Sequence, residues 1–473
     1  MTLAESAVRL DGWPEEVVGS GLAVPVIGGG RLPSAYLDNA ASTPPLRAAA
    51  DAVNDLLPYY ASVHRGAGYS SRVATAAYED ARERVARFVG ATEDQVVIFV
   101  KNTTEGLNRL ARLHADRGTT VFVSTAEHHA NLLPWRWRAS RVRFFQADAS
   151  GVIDADDLRR QLQGAPPGPR LVALSGAYNV SGHVPPIHRF ARLAHEYGAE
   201  ILVDGAQLAP HRRVALGGTV PEEAIDYFVF SAHKIYAPFG SGALIAPRRA
   251  LDAAAPDLLG GGIVDLVTED EVVWNALPDR EEAGSPNVIG AVALAAALDR
   301  LETLGWQRIE DQEHALTGYA IARLAEVPGL RLLGPPAGRD RVGVLSFVLP
   351  PLSHDRVAAA LAYEHAISVR SGCFCAHPAM FDLLALDEQV VADARARLRR
   401  HDHIDVPGAV RASLGLQSTR AEVDRLAAAL SELAEHGPRA SYERGPDEQL
   451  RPVGWEEDLP ANLRRLVRST NAA

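Results

Sequence analysis

Seven short apolar runs, rich in β-branched and aromatic residues, recur between residues 95 and 246: QVVIFV (95–100), TTVFVS (119–124), RFFQA (143–147), RLVALS (170–175), EILVD (200–204), YFVFS (227–231) and GALIA (242–246). Between most of them, apolar residues repeat at spacings of three and four, as at 76–90, 105–116 and 187–199, which is typical of helices that bury one face. Strands that alternate with helices predict a mostly parallel sheet covered on both faces. The pattern therefore predicts an α/β large domain over residues 36–292, with ligands expected beyond the carboxyl ends of its strands.

The pattern changes after residue 292. Helical spacing at 291–305 and 313–327 is followed by a strand at 342–350, a helix near 354–364, a strand at 367–372 and a last helix at 420–435, which predicts a smaller α+β domain over 293–435. The insertion 379–408 holds a further helical pattern at 387–402, whose role the sequence does not reveal. Residues 1–35 form an N-terminal segment. We expect residues 436–473, rich in proline, glycine and charge, to be an irregular tail.

The composition favours a small-molecule ligand over a nucleic acid or a membrane. A formal net charge of −11 without a run of basic residues argues against a nucleic-acid footprint. No run of about 18 apolar residues occurs, and the N-terminus carries acids where a signal peptide needs basic residues. The chain has two cysteines, Cys373 and Cys375, so no disulfide framework can join distant segments. We therefore expect a cytoplasmic protein.

Lysine is almost absent from the sequence. Of 48 basic side chains, only Lys101 and Lys234 are lysines. A lysine that persists where arginine otherwise supplies positive charge is a candidate for chemistry that requires loss of a proton and attack on a carbonyl. Lys234 follows the run YFVFS together with Ser231 and His233, which favours a functional role, whereas Lys101 is equally well explained as a chance survivor.

An enzyme that uses pyridoxal 5′-phosphate (PLP) needs such a lysine, an acid that faces the pyridine nitrogen and donors for the phosphate. Asp204 ends an apolar strand and is followed by Gln207. An acid at this position is a candidate to face the pyridine nitrogen of the cofactor. Thr103 and Thr104 stand where a strand gives way to a helix, and free N–H groups there bind anions, although threonine is also an ordinary N-cap. His128 follows another strand end, where an imidazole can stack on a flat cofactor and move protons.

Nine motifs stand in a fixed order along the chain: LDNAASTP (37–44), VHRGAGYSSR (63–72), NTTEG (102–106), EHHAN (127–131), YNVSGHVPPI (178–187), VDGAQ (203–207), FSAHK (230–234), EAGSPN (282–287) and RSGCFCAHP (370–378). With them the chain resembles the cysteine desulfurase and selenocysteine lyase group of class V aminotransferases, over roughly residues 35–435. The resemblance implies a PLP-dependent transferase of fold type I with a seven-stranded sheet, and a homodimer with shared active sites.

The resemblance also implies a role for each matching residue. Lys234 would form the covalent bond to the cofactor, Asp204 would face the pyridine nitrogen, and Gln207 would lie near the ring hydroxyl. His128 would stack on the ring, and Asn179 would lie near the substrate and the ring oxygen. The phosphate would be held by Thr104, Ser231 and His233, and Ser285 would reach the phosphate of the partner subunit. Arg411, in AVRASLGL, matches the arginine that clamps the substrate α-carboxylate, a task suited to a guanidinium. Arg370 is expected to bind substrate as well.

Cys375 decides between reactions. In the family, a cysteine at this position takes the sulfur of the substrate as a persulfide. Two other interpretations of Cys375 remain open: a small buried hydrophobic residue, or a metal ligand together with Cys373 and His377, which lacks a second ligand pair. We expect no metal.

The resemblance therefore predicts an enzyme that converts L-cysteine to L-alanine, with an amino-acid substrate and a possible sulfur-acceptor protein. A PLP-dependent lyase or epimerase acting on another sulfur-containing amino acid, for which Cys375 is dispensable, is the alternative among enzymes. A sulfur-relay scaffold that keeps the fold is the alternative outside them. Two departures leave the substrate open among cysteine, selenocysteine and a conjugate: about 36 residues separate Cys375 from Arg411, and Gly68 stands where some relatives have a second histidine.

Overall fold

The computed structural model describes residues 11–336, 338–404 and 406–456. Its strands are β1 Ala23–Pro25, β2 Arg31–Pro33, β3 Ala35–Tyr36, β4 Gln95–Val100, β5 Thr120–Ser124, β6 Arg141–Phe145, β7 Arg170–Ser175, β8 Glu200–Asp204, β9 Tyr227–Ser231, β10 Gly242–Pro247, β11 Val264–Val267, β12 Val272–Trp274, β13 Arg331–Leu333, β14 Val344–Val348, β15 Ile367–Ser368, β16 Arg370–Gly372, β17 Ala409–Ser413, β18 Tyr442–Arg444 and β19 Leu450–Pro452.

The α-helices are α1 Arg47–Leu56, α2 Tyr69–Val89, α3 Thr103–Asp116, α4 Leu133–Arg138, α5 Ala155–Gln163, α6 Ile187–Glu196, α7 Arg248–Asp252, α8 Val288–Leu304, α9 Trp306–Ala325, α10 His354–His365, α11 His377–Leu384, α12 Glu388–Leu398 and α13 Arg420–His436. Every helix that the apolar spacing predicted is present, including α12 inside the insertion. Among the described residues, none of these helices is both long and apolar enough to cross a bilayer.

The seven predicted apolar runs form one sheet in the order β4-β10-β9-β8-β7-β5-β6, which confirms the predicted mixed α/β fold. Strand β10 runs antiparallel to both neighbours and the other strands are parallel. The run predicted at 143–147 begins two residues earlier, as β6. Because six strands point the same way, their carboxyl ends meet at one edge of the sheet, and that edge positions the site.

Both faces of the sheet are buried, as the apolar runs predicted. In β4, for example, Val96 and Ile98 pack on the side of α3, whereas Val97 packs on the side of α2 and α6. Strands buried on both faces lack the alternation of a half-exposed sheet and read as continuous apolar runs. Because both faces are buried, polar residues are expected where a strand leaves the sheet, at its end.

The chain after residue 292 contains a four-stranded antiparallel sheet, β13-β14-β17-β16, that packs against α9, α10 and α13. The N-terminal segment joins it, because β3 pairs in parallel with β15. Residues 442–452 form the hairpin β18–β19, so the expectation of an irregular tail is wrong for this stretch. Tyr442 donates a hydrogen bond to Glu364 (2.8 Å) and Arg444 pairs with Asp355, and these contacts with α10 order the hairpin. Residues 457–473 of the tail lie outside the described residues.

Glu313 on α9 links the two parts of the molecule. Its carboxylate accepts from Arg212 (2.6 Å), faces His211 Nδ1 (2.5 Å) and accepts from the backbone N–H of Gly343 (2.9 Å). Burial raises the pKa of Glu313, but His211, Arg212 and Gly343 outweigh it and lower this pKa to about 2. The carboxylate therefore contributes stability that is present above its ordinary pKa and is lost as the pH falls towards 2.

We predict that Glu313→Gln lowers the free energy of unfolding at neutral pH by about 3 kcal/mol, since it removes the buried anion that faces Arg212 and His211. Urea unfolding of the variant and of the wild type measures the difference. The matched control is Glu310→Gln, because Glu310 also pairs with Arg212 (2.9 Å) but is 39% exposed; we expect a change within about 1 kcal/mol there. Equal losses in the two variants would contradict this role of Glu313.

Candidate active site

A cavity of about 370 Å³ opens at the edge where the carboxyl ends of the parallel strands meet. All of the predicted site residues except Ser285 line it: Thr103, Thr104, His128, Asn179, Asp204, Gln207, Ser231, His233, Lys234, Arg370, Cys375 and Arg411. Ser285 lies in a different cavity, beside His64 and Gly262. The sheet topology thus gathers residues that are up to 308 positions apart in sequence, from Thr103 to Arg411, around one space.

Lys234 lies in the turn after β9, and its surroundings favour the neutral amine. Burial lowers the pKa of Lys234 to about 8, although Asp204 pulls it in the opposite direction. An amine with this pKa loses its proton close to neutral pH, as a nucleophile or base must. Lys101 does not line the cavity.

Asp204 and Gln207 offer acceptor atoms to the cavity. Asp204 Oδ1 accepts from the backbone N–H of Ala206 (2.9 Å), and no described residue donates to Oδ2. Burial raises the pKa of Asp204, and a cation placed against it would favour the carboxylate form. Gln207 donates through Nε2 to the carbonyl of Ala40 (2.6 Å), which leaves its Oε1 as an acceptor.

The N-terminus of α3 forms an anion cradle. The Asn102 side chain caps this helix by accepting from the backbone N–H of Glu105, while the backbone N–H of Thr104 has no acceptor among the described residues. Thr103 and Ser231 hold each other, with their hydroxyl oxygens 2.7 Å apart. A helix N-terminus with free N–H groups and hydroxyls favours negative charge.

His128 is a hydrogen-bond donor more than a base. Its Nδ1 accepts from the backbone N–H of Ala130 (3.0 Å), which leaves the proton on Nε2. Burial, with Lys234 nearby, lowers the pKa of His128 to about 3. The neutral ring can therefore stack on a flat ligand, and its expected part in proton transfer stays a prediction.

Arg370 and Arg411 stand directly opposite each other on β16 and β17. Asp38 lies between them: its carboxylate accepts from Arg370 (2.8 Å) and from Arg411 (3.3 Å). The Arg411 side chain is 3% exposed and that of Arg370 is 50% exposed. Arg411 is therefore the enclosed cation of the cavity, and Arg370 is the cation at its mouth.

Cys375 lies in a tight turn over residues 373–376, which we call the cysteine turn. The backbone N–H of Ala376 donates to the carbonyl of Cys373 (3.0 Å). Phe374 and Cys375 have φ angles of +52° and +55°, the left-handed pair of a type I′ turn, a position that favours Asn-Gly. Each non-glycine residue in this conformation costs of the order of 1 kcal/mol.

Contacts from three segments hold the cysteine turn in place. Asn179 donates to the carbonyl of Phe374 (2.8 Å) and the backbone N–H of His129 donates to the carbonyl of Cys375 (2.7 Å). The Arg411 guanidinium lies 4.8 Å from the centre of the Phe374 ring. A strained backbone that is held in place by several contacts is typical of functional sites.

Three residues at the site were not predicted individually from the sequence: Asp38, Glu127 and Phe374. Glu127 lies fully buried behind His128 and accepts from Ser175 and Tyr178, and burial raises its pKa to about 7. Asp38 and Glu127 lie inside the motifs LDNAASTP and EHHAN, so an acid within such a motif was the signal that could have indicated them. No sequence signal indicated the role of Phe374.

The comparisons with known proteins agree with this geometry. A family model described as "Aminotransferase class-V" matches residues 35–426. A cysteine desulfurase of Haloferax volcanii is 34% identical to the chain over 85% of this chain and 90% of its own length, and one of Escherichia coli O127:H6 is 34% identical over 85% and 94%. The chain belongs to the cysteine desulfurase group of class V aminotransferases.

Solved structures of the group share the fold. The apo structure of a cysteine desulfurase from Thermococcus onnurineus NA1 has a TM-score of 0.75 at 32% identity, covering 85% of this chain and 95% of that one. An E. coli cysteine desulfurase solved in an S-sulfonic acid form has a TM-score of 0.72 at 31% identity and covers the same shares. Fold type I is thus confirmed for this class V chain.

The residues of this chain fit the PLP that class V aminotransferases use. The open Oδ2 of buried Asp204 suits a protonated ring nitrogen, the N-terminus of α3 suits a phosphate, and Lys234 can supply a neutral amine. His233, whose pKa burial lowers to about 4, adds a neutral side chain beside the cradle.

We predict that the apoprotein captures PLP at a rate that rises about tenfold per pH unit until about pH 8 and then levels off, because only the neutral amine of Lys234 attacks an aldehyde. Stopped-flow absorbance measures the rate. Pyridoxal, which lacks the phosphate, serves as a second probe so that titration of the phosphate does not shape the profile, and Lys101→Arg is the control protein. A rate that is flat between about pH 6 and pH 8 would show that Lys234 is not the titrating group.

Proposed function

We propose that the protein is a PLP-dependent cysteine desulfurase, which converts L-cysteine to L-alanine and receives the sulfur on Cys375 as a persulfide. The observation that carries this proposal is that Lys234 and Cys375, a deprotonatable amine and a thiol, line the same cavity as Arg411. A lyase or epimerase needs the amine and the cationic clamp but not the thiol. The free thiols of Cys373 and Cys375 suit a reducing compartment such as the cytoplasm.

Arg411 would bind and orient the substrate α-carboxylate. Its Nε is buried without a hydrogen-bond partner among the described residues, and buried donors of this kind favour an incoming anion. Arg370 at the mouth of the cavity would make the second contact. Asp38, which both arginines now share, would give up part of its hydrogen bonding when the substrate carboxylate arrives.

Bound PLP supplies an aldehyde that joins amines and a pyridinium ring that accepts electrons released at the substrate Cα. Lys234 is the base that removes the Cα proton, since His128 is too weakly basic for this task. Asp204 would keep the ring nitrogen protonated through a charge-assisted hydrogen bond. Thr104, Ser231 and His233 would hold the phosphate and Gln207 and Asn179 would face the ring oxygen, while Thr103 fixes the Ser231 hydroxyl.

Cys375 would then attack the substrate sulfur. A bond forms between Cys375 Sγ and the substrate Sγ, the substrate C–S bond breaks, and its electron pair returns to the carbon that becomes the alanine methyl group. The cysteine turn holds Cys375 at the cavity while Cys375 itself is exposed. An external thiol or acceptor protein can therefore collect the sulfur.

We infer a homodimer with shared sites from the position of Ser285 and from exposed apolar surface nearby. Ser285 and Gly262 line a cavity apart from that of Lys234, as expected for a residue that serves the site of the partner subunit. The hairpin β11–β12 that follows Gly262 exposes Leu266, Val267 and Val272 to solvent, each by more than 45%. Exposed apolar side chains in a group favour a protein interface.

The decisive experiment is the release of alanine from L-cysteine with a thiol reductant present. We expect release by the wild type, none by Lys234→Arg, because a guanidinium remains protonated, and none by Cys375→Ala. Lys101→Arg, the replacement of the only other lysine, is the matched control and should match the wild type. Alanine from Cys375→Ala at the wild-type rate would favour the lyase interpretation, and alanine from Lys234→Arg would refute PLP chemistry at Lys234.

We predict that Arg411→Gln raises the KM for L-cysteine by about 30-fold or more, since a hydrogen bond between charged groups contributes about 2–3 kcal/mol. Arg370→Gln should raise KM less, because its side chain is half exposed whereas that of Arg411 is buried. Steady-state kinetics of both variants gives the ratio. A larger effect at Arg370 would overturn the assignment of Arg411 as the main carboxylate clamp.

A further inference from the structure

Both cysteines of the chain, Cys373 and Cys375, lie in the cysteine turn. Cys375 faces the cavity as the proposed persulfide carrier, which leaves Cys373 without a role in the proposed reaction. Because the chain has no third cysteine, any internal thiol chemistry after the persulfide forms can involve only Cys373.

The geometry of the cysteine turn brings the Cα atoms of the two residues to a separation that a disulfide can bridge. Phe374, between them, has a left-handed backbone, and the bond from Ala376 to Cys373 closes the turn. A residue with such a folded backbone places the Cα atoms on either side of it about 5.5 Å apart, which is the span that disulfides most often bridge. An extended Phe374 would separate them by more than a disulfide prefers.

The surroundings of Cys373 keep its thiol protonated. It is half-buried, and its Sγ donates to the carbonyl of Pro407, at 3.1 Å. Burial, and then the neighbouring Cys375, raise the pKa of Cys373 to about 11. Cys373 therefore stays protonated and does not compete with Cys375 for the substrate sulfur.

We propose that Cys373 is a resolving thiol that discharges the Cys375 persulfide as sulfide when no acceptor collects it; this rests on the proposed desulfurase function. Cys373 Sγ attacks Cys375 Sγ and forms a Cys373–Cys375 disulfide. The persulfide S–S bond breaks, and the outer sulfur leaves with its electron pair and takes up a proton as hydrogen sulfide. The Cys373 thiol is oxidised and the outer sulfur is reduced. An external dithiol must then reduce the disulfide before the next turnover.

The protonated state of Cys373 makes this discharge slow, because the thiolate is the attacking form. Its proximity to the persulfide makes it feasible, because an intramolecular attack needs no encounter. An acceptor that arrives promptly therefore takes the sulfur, and an unclaimed persulfide ends as sulfide. In addition, the disulfide would remove the contact of Cys373 with Pro407 at the end of the insertion.

The test uses the reduced holoenzyme, freed of reductant and kept without oxygen, with one equivalent of L-cysteine per subunit. Alanine, free sulfide and the intact mass of the denatured, unreduced chain are followed over time. The wild type should release one equivalent of alanine, then one of sulfide, and should finish lighter by two hydrogen atoms. Cys373→Ser keeps a donor for Pro407; it should release alanine, retain one extra sulfur atom in its mass and release no sulfide, and Cys373→Ala should behave likewise. Without L-cysteine, the wild-type mass should stay that of the dithiol.

The outcomes separate this inference from the proposed function. Alanine with an extra sulfur that persists equally in the wild type and in Cys373→Ser would overturn the resolving role and leave the desulfurase function intact. Alanine from none of the proteins would overturn the desulfurase function and the inference with it. A disulfide in the wild type that forms without L-cysteine would also overturn the inference, because the persulfide would not be its source.

Discussion

The bridge from Asp38 to Arg370 and Arg411 is the interaction on which the rest of the site depends. The two arginines are paired residues of neighbouring strands, and like charges at opposite positions destabilise a sheet. Asp38 removes that repulsion and lies two residues after β3, which pairs with β15. The same ions thus link the chain just after β3 with the small sheet and the mouth of the cavity. Since Asp38 already engages both cations, the proposed substrate carboxylate would bind by exchange of partners, to guanidinium groups that are positioned beforehand.

Burial tunes the cavity more than any pair of charges does. It lowers the pKa of Lys234 and of His128 and raises that of Asp204, so each group is moved towards its neutral form. A neutral lysine is useful as it stands, because it can attack a carbonyl or take a proton. For Asp204, whose pKa is raised by burial, a cationic ring nitrogen would favour the carboxylate form. The cavity thus suits a ligand with a cationic ring and an anionic phosphate.

The sequence predicted most of this site because parallel strands share one edge. Strands β7, β8 and β9 end at Ser175, Asp204 and Ser231, and the carboxyl ends of parallel strands converge. Asp204, Ser231 and Lys234 could therefore be placed together without a structure. The roles of Asp38 and Phe374 could not be predicted from the sequence, because they depend on distant contacts. Asp38 contacts Arg370, more than 300 positions away, and Phe374 contacts Asn179, nearly 200 positions away. The hairpin β18–β19 was missed for a related reason: its order comes from the ion pair of Arg444 with Asp355, and no local pattern encodes that.

The strain in the cysteine turn bears on how sulfur leaves the protein. A cysteine that carried sulfur to a distant partner would need a segment free to swing, yet this turn is bound by Asn179, by His129 and by the stacking of Phe374 on Arg411. Those contacts also line the substrate cavity, so a swinging turn would dismantle the carboxylate clamp at the moment of transfer. Holding two left-handed residues costs stability, and that cost is consistent with a fixed nucleophile whose geometry matters. The acceptor must therefore come to the exposed Cys375, at the mouth of the cavity.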